Sequence, residues 1–269
     1  MNRYITTMEK LRKNNRGAFI AFTVIGDPDP ETSLSVINSL VDGGADVLEL
    51  GMPFSDPIAD GPTIQAADNR ALAHGMDTDK AFMLIRKIRQ TTDIPIGILV
   101  YANIVVARGI STFYYDAKKA GVDSILVADL PIEEADEYIE AASKAQIETV
   151  FMVTPLTPEE RTRKIVSKTT GFIYLVSRLG VTGAAAELQK DTLELIKRVR
   201  PYTTLPLFVG FGISKPEHVK AVLEAGADGA IVGSAIVSKI EGHLGDTQGT
   251  LSSVRALSAD MLKACDRIH

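Results

Sequence analysis

Two kinds of residue in this chain have the chemistry of a reaction site: isolated acids in apolar surroundings, and glycine pairs that end apolar runs. Glu49 lies in Asp46-Val47-Leu48-Glu49-Leu50. In an extended run, alternate side chains take opposite faces, so Glu49 turns away from Leu48 and Leu50. A carboxyl held in a dry pocket loses hydration, and its pKa is expected to rise toward the range useful for shuttling protons near neutrality. A salt-bridged or rim-exposed glutamate fits the same pattern. The following segment runs Gly51-Met52-Pro53-Phe54-Ser55-Asp56-Pro57-Ile58-Ala59-Asp60-Gly61-Pro62. Its prolines restrict it, and it carries two more acids, Asp56 and Asp60. These are turn acids in the plainest reading; a carboxylate pair can also bind magnesium.

The glycine signal is Val209-Gly210-Phe211-Gly212-Ile213-Ser214 and Val232-Gly233-Ser234. Glycine lets backbone N–H groups approach an anion where a helix begins, and Ser234 adds a hydroxyl donor, so phosphate is the expected ligand. Gly180-Val181-Thr182-Gly183 offers a third such turn. Phe22, Tyr101, Tyr174 and Phe211 stand on or just past apolar runs, where they fill a core or form a slot for a flat ring. The ends of these runs hold no histidine, cysteine or lysine. Acid–base chemistry without a covalent intermediate is therefore favoured over a Schiff base or a histidine-built metal site.

These groups need a frame that brings distant segments together. Eight short apolar runs recur: 18–24, 46–51, 95–101, 122–128, 148–153, 172–176, 205–209 and 229–232. They are rich in Val, Ile and Leu and read as strands buried on both faces. Helical stretches alternate with them. One stops at Gly43-Gly44 and one at Gly121. Ser214-Lys215-Pro216-Glu217 reads as a helix start with an N-cap serine. Alternation implies parallel pairing, and eight units imply a closed (β/α)8 TIM barrel, one domain over residues 1–269 with an extra amphipathic helix in front. The rival, an open doubly wound sheet, usually has a Gly-rich turn after its first strand; here that turn is Ile25-Gly26-Asp27-Pro28.

The net charge of −5 argues against nucleic acid or an anionic membrane as main partner. Cys265 is the only cysteine, so no internal disulfide forms and a reducing, cytoplasmic setting is expected. The N-terminus lacks the unbroken apolar core of a signal peptide. The longest apolar stretch, 94–107, is shorter than the ~20 residues that span a bilayer.

The run from Leu48 to Gln65 closely resembles the signature of the tryptophan synthase α subunit family. Val100-Tyr101-Ala102-Asn103, Leu126-Val127-Ala128-Asp129-Leu130-Pro131 and Ser177-Arg178-Leu179-Gly180-Val181-Thr182-Gly183 match it in the same order, so the likeness covers essentially the whole chain. The resemblance implies a lyase that splits indole-3-glycerol phosphate into indole and glyceraldehyde 3-phosphate. Glu49 would be the proton shuttle and Asp60 the partner of the indole N–H. Phe22, Ile64, Leu99, Tyr101, Leu126, Tyr174, Phe211 and Ile231 would line the indole slot, with Asp129 supporting it. Thr182, Gly183, Gly212, Gly233 and Ser234 would serve the phosphate. The resemblance also implies a β-subunit partner in an α2β2 complex, met through Pro53, Asp56, Pro57 and Pro131. Pyridoxal phosphate would belong to that partner, leaving this chain without a cofactor or metal. Ile104 and Leu179 depart from the usual pattern, where proline and a small residue are common. Another phosphate-binding barrel aldolase or isomerase, or a non-catalytic activator of a partner enzyme, remain the alternatives.

Overall fold

The computed structural model describes residues 2–177 and 190–266. Its strands are β1 (Ala18–Val24), β2 (Val47–Gly51), β3 (Ile96–Val100), β4 (Ser124–Val127), β5 (Glu148–Thr149), β6 (Phe151–Val153), β7 (Ile173–Val176), β8 (Leu207–Gly210) and β9 (Gly229–Val232). They form one sheet in the order β5-β4-β3-β2-β1-β9-β8-β7-β6, and each of its strand pairs is parallel. Helices fill the connections, so the barrel expected from the alternation is the observed architecture. β1 lies between β2 and β9, and the two ends of the strand order, β5 and β6, are separated only by Val150.

The apolar run 148–153 was expected as one strand and is broken in two. Glu148 and Thr149 pair with β4, while Phe151–Val153 pair with β7. Thr149 is claimed from the far side: its carbonyl accepts from Gly171 N at 3.0 Å, and its hydroxyl donates to Lys168 O at 2.9 Å. A barrel closes only with a stagger between strands, and here it is taken up at Val150. The run contains no glycine or proline, so its sequence carries no mark of the break.

The strands are almost entirely buried, as expected of a parallel sheet covered by helices outside and packed inside. The N-terminal helix Arg3–Lys13 lays Tyr4, Met8 and Leu11 against the core. The Tyr4 hydroxyl reaches Ser124 Oγ on β4 at 2.8 Å, and its ring lies 5.6 Å from Phe172, so this helix packs against the barrel interior.

One motif recurs beneath three strands: Gly44-Ala45-Asp46, Gly121-Val122-Asp123 and Gly226-Ala227-Asp228. Each glycine has a positive φ (98°, 97° and 104°), which lets the chain turn sharply out of the preceding helix. Each aspartate then accepts from a backbone N–H of the neighbouring strand: Asp46 from Phe19, Asp123 from Ile96 and Asp228 from Leu207. An arginine completes each node, Arg16, Arg89 and Arg200 respectively. The end of the barrel away from the strand carboxyl termini is thus fixed by repeated charge-assisted hydrogen bonds.

The helix expected to be capped by Ser214 starts later. It spans Pro216–Glu224 with Lys215 as N-cap and no side-chain cap. Proline is favoured at the first helical position, which moves the cap to the residue before it. The Ser214 N–H instead donates to His218 Nδ1 at 3.3 Å.

Asp123 gathers Arg89 Nη2 at 2.7 Å, Arg3 Nη1 at 2.9 Å and Ile96 N at 2.9 Å. Asp123→Ala takes the carboxylate from Arg89 and Arg3, leaving Arg89 only its backbone carbonyls, and strands a strand N–H; it is expected to lower unfolding stability in urea by about 3 kcal/mol. A loss under ~0.5 kcal/mol, the range of ordinary surface changes, contradicts this account of the nodes.

Candidate active site

Glu49 sits inside the barrel, paired in register with Phe22 on one side and Gly97 on the other. It has no solvent exposure, and neither carboxyl oxygen has a hydrogen-bond partner. A β-carbon at Gly97 would stand 2.9 Å from Glu49 Oε2 and 2.9 Å from Ser124 Oγ, so the missing side chain of Gly97 makes room for the acid. Burial alone pushes its pKa up from 4.5 to about 8. The expected shift is present, with the expected cause. The salt-bridged and rim-exposed readings both fail.

Asp60 lies in a different setting. It is part-buried at the end of the loop after β2 and accepts from the Tyr101 hydroxyl at 2.6 Å. Burial raises its pKa while the Tyr101 hydrogen bond pulls it back. The Tyr101 oxygen also accepts from Ala59 N at 3.1 Å, and its ring stacks on Phe54 at 5.1 Å. Tyr101 therefore pins the loop from below at two points. Asp68, on the helix Pro62–Ala73, is a buried acid with Oδ2 unpaired. Burial first and the Asp60 charge second raise its pKa to about 8, while the Phe54 backbone N–H opposes the shift.

The cavity at this end of the barrel has a volume of about 280 Å³. Phe22, Leu99, Tyr174 and Ile231 line it from the strands; Asp60 and Ile64 line it from the loop and helix after β2; Phe211, Gly212, Gly233 and Ser234 close its far side. Burial first, and then the charges of Glu49 and Asp60, hold the Tyr174 hydroxyl well above the usual range. The Phe211 backbone has φ 63°, a conformation bulky residues rarely adopt. It is held there by its ring, edge-on to Tyr174 at 5.9 Å, and by the Ser177 hydroxyl, which donates to its carbonyl. Gly233 precedes the helix Ser234–Glu241, whose first N–H groups lack intrahelical partners. A side chain at Gly233 would meet Phe22 Cδ1 at 2.9 Å.

Most residues expected at the site therefore share one cavity; a few do not. Glu49 and Tyr101 support it without lining it. Leu126 is core on β4. Asp129 is exposed, and its carboxylate accepts from Ala102 N at 2.8 Å at the start of the helix Ala102–Arg108. Thr182 and Gly183 lie outside the described residues, as does Leu179. Of the expected partner-facing residues, Asp56 and Pro131 are exposed while Pro53 and Pro57 are buried within the chain. Ile58, next to Pro57 in sequence, and Leu156, which lines a groove with Pro131, are large exposed apolar side chains, neither of them expected. Among the described residues no cluster of His, Cys, Asp or Glu could hold a metal ion. No helix among them is long and apolar enough to cross a membrane.

Phe54 and Asp68 are absent from the residues expected by sequence. Asp68 was detectable: four positions after Ile64, it shares that residue's helix face.

A parallel barrel whose cavity is walled by apolar side chains from the strands and edged by a helix N-terminus is the architecture of an enzyme for a phosphorylated substrate with an apolar part. Comparison with known proteins narrows this class. The family model of the tryptophan synthase alpha chain matches residues 8–266. The tryptophan synthase alpha chain of Methanothermobacter thermautotrophicus is 52% identical, over 95% of this chain and 94% of its own. That of Vibrio cholerae is 46% identical, over 98% and 99%. Tryptophan synthase subunit alpha from Legionella pneumophila superposes with a TM-score of 0.90 at 36% identity, covering 100% of both chains. A structure of the tryptophan synthase α2β2 complex from Pyrococcus furiosus gives 0.87 at 40% identity, covering 93% of this chain and 99% of that one. The chain belongs to the tryptophan synthase alpha chain family.

The folded state keeps the Glu49 proton up to about pH 8, and an unfolded chain only to about 4.5. Between these values the folded state binds more protons, so this group's contribution to stability is lost as pH rises through the window. Glu49→Gln cannot ionise. Relative to wild type it is expected to gain stability from pH 5 to pH 8, on the order of 3 kcal/mol at the upper end. Urea unfolding at both pH values checks this; a difference between the two proteins that stays constant with pH contradicts it.

Proposed function

We propose that the chain catalyses the retro-aldol cleavage of indole-3-glycerol phosphate to indole and glyceraldehyde 3-phosphate, with Glu49 as proton shuttle. The observation that carries this reading is a fully buried, unpaired carboxyl with a pKa near 8, on the strand register shared with the cavity wall at Phe22. Such a group holds a proton at neutral pH and can deliver it to carbon.

The substrate's indole lies between Phe22, Leu99, Tyr174, Phe211 and Ile231, and its phosphate meets the backbone N–H groups at Gly212, Gly233 and Ser234. Thr182 and Gly183, outside the described residues, are assigned to the same phosphate by the family resemblance alone. Glu49 swings about its own side-chain bonds from the Gly97 recess into the cavity and protonates indole C3. The ring nitrogen becomes positive, and the Asp60 carboxylate, held by Tyr101, stabilises it through the N–H. Glu49, now ionised, accepts the 3′-hydroxyl proton. The C3–C3′ bond breaks, its electron pair returns to the ring, and the hydroxyl carbon becomes the aldehyde. Glu49 ends protonated, as it began. Phosphate contacts far from this bond keep the substrate in register. No cofactor enters these steps.

The partner is a tryptophan synthase β subunit, in an α2β2 complex of the kind solved for the Pyrococcus furiosus relative. Exposed Asp56, Pro131, Ile58 and Leu156 are the contact points this reading favours. A cytoplasmic location accords with the single, buried cysteine.

The test is indole release from indole-3-glycerol phosphate by purified chain. Glu49→Gln is expected to lower kcat by at least about 100-fold with the fold intact, and Asp60→Asn by a comparable factor. A Glu49→Gln rate within about threefold of wild type, on that same ~100-fold scale, rejects the assignment.

A further inference from the structure

The roles above leave one charged cluster unused. Arg70, on the helix Pro62–Ala73, donates through Nε and Nη2 to both oxygens of Asp27, at 2.7 and 3.1 Å. Its Nη1 reaches Glu241 Oε1 at 3.4 Å. Asp27 lies in the turn after β1 with a fully buried side chain. Its pKa is raised by burial and pulled back by Arg70.

Three elements meet at this one guanidinium, and two of them lead to opposite ends of the cavity. The helix Pro62–Ala73 follows directly on Asp60, and Ile64 in its first turn lines the ring end. The helix Ser234–Glu241 begins beside Gly233, at the phosphate end. At 1.5 Å per residue, Arg70 stands ~12 Å down the first helix and Glu241 ~10 Å down the second. The two helices pack against each other, and their first turns face the same cavity. Glu241 is also the wrong charge for its own position, because a helix C-terminus disfavours an anion. Arg70 supplies the compensation from the neighbouring helix. A buried ion pair of this kind is weak evidence for stability, since desolvation offsets most of its attraction. Its bidentate geometry fixes orientation instead.

We infer that Arg70 is a positioning residue that sets the spacing between the ring end and the phosphate end of the cavity, by clamping the helix after Asp60 to the β1 turn and to the C-terminus of the phosphate-end helix. The inference rests on the substrate orientation given under the proposed function. It touches neither substrate nor reacting atoms, so its signature lies in ligands that span both ends. A ligand gains from having two groups joined only while the two subsites keep the matching separation.

The experiment uses the full chain and three probes in calorimetric titrations: indole, glyceraldehyde 3-phosphate, and a non-cleavable compound with indole C3 joined to phosphate through a three-carbon alkyl chain. Arg70→Lys keeps the charge and loses the fork. It is expected to weaken the joined probe about tenfold while changing each separate probe by less than about twofold. Glu241→Ala removes one arm, leaves Asp27 paired and, with Glu241 half exposed, creates no buried unpaired charge; the joined probe is expected to weaken about threefold. It carries the test if Arg70→Lys does not fold. Equal weakening of all three probes, or no change in any, overturns the inference and leaves the cavity assignment standing. A wild type that binds none of the three overturns the cavity assignment and the inference together.

Discussion

Moving an ionised carboxylate into a site with no hydrogen-bond donor is so unfavourable that the group takes up a proton instead. Glu49 is in that position, and the functional reading rests on it. Its two oxygens have no partner, and Ser124, two strands away across the Gly97 recess, has its hydroxyl engaged with Tyr4. The barrel builds this dryness with several devices at once. Gly97 leaves the recess, the N-terminal helix covers the core below it, and Phe22 fills the neighbouring register position. Any of these could be altered without touching the acid and would change its proton affinity.

Asp60 is the counterpart, and the contrast between the two carboxyls is what allows one cavity to hold an acid and an anion together. Asp60 has a donor, the Tyr101 hydroxyl, and sits at the part-buried edge. Tyr101 in turn is oriented by stacking on Phe54 and by Ala59 N. The loop after β2 is therefore held as a unit. Asp68, on the helix that follows, is a second raised acid, close enough to feel the Asp60 charge.

Much of this was legible in the residues. Period-two alternation located Glu49, and glycine-marked strand ends located Gly212, Gly233 and Ser234, because both follow from local geometry. What stayed hidden depends on partners distant in sequence. The break at Val150 is imposed by Thr149 bonding to the 168–171 segment, so the apolar run around it shows nothing. Asp129 sits in a motif that resembles the family's, yet its carboxylate is used on Ala102 N. Leu126 is apolar and correctly placed on a strand, but whether an inward residue lines a cavity or fills the core is decided by its neighbours' volumes. The Gly-x-Asp nodes are not among the sequence-based expectations, because their meaning depends on the distant strand N–H groups the aspartates accept from.

The most direct test of the account is the titration of the Glu49 carboxyl itself in the ligand-free chain, followed by carbon-13 NMR with labelled glutamate and assigned by comparison with Glu49→Gln. The account requires a midpoint near pH 8. A midpoint at 5 or below, close to the ordinary glutamate value of about 4.3, would mean the acid is solvated or paired and would contradict it.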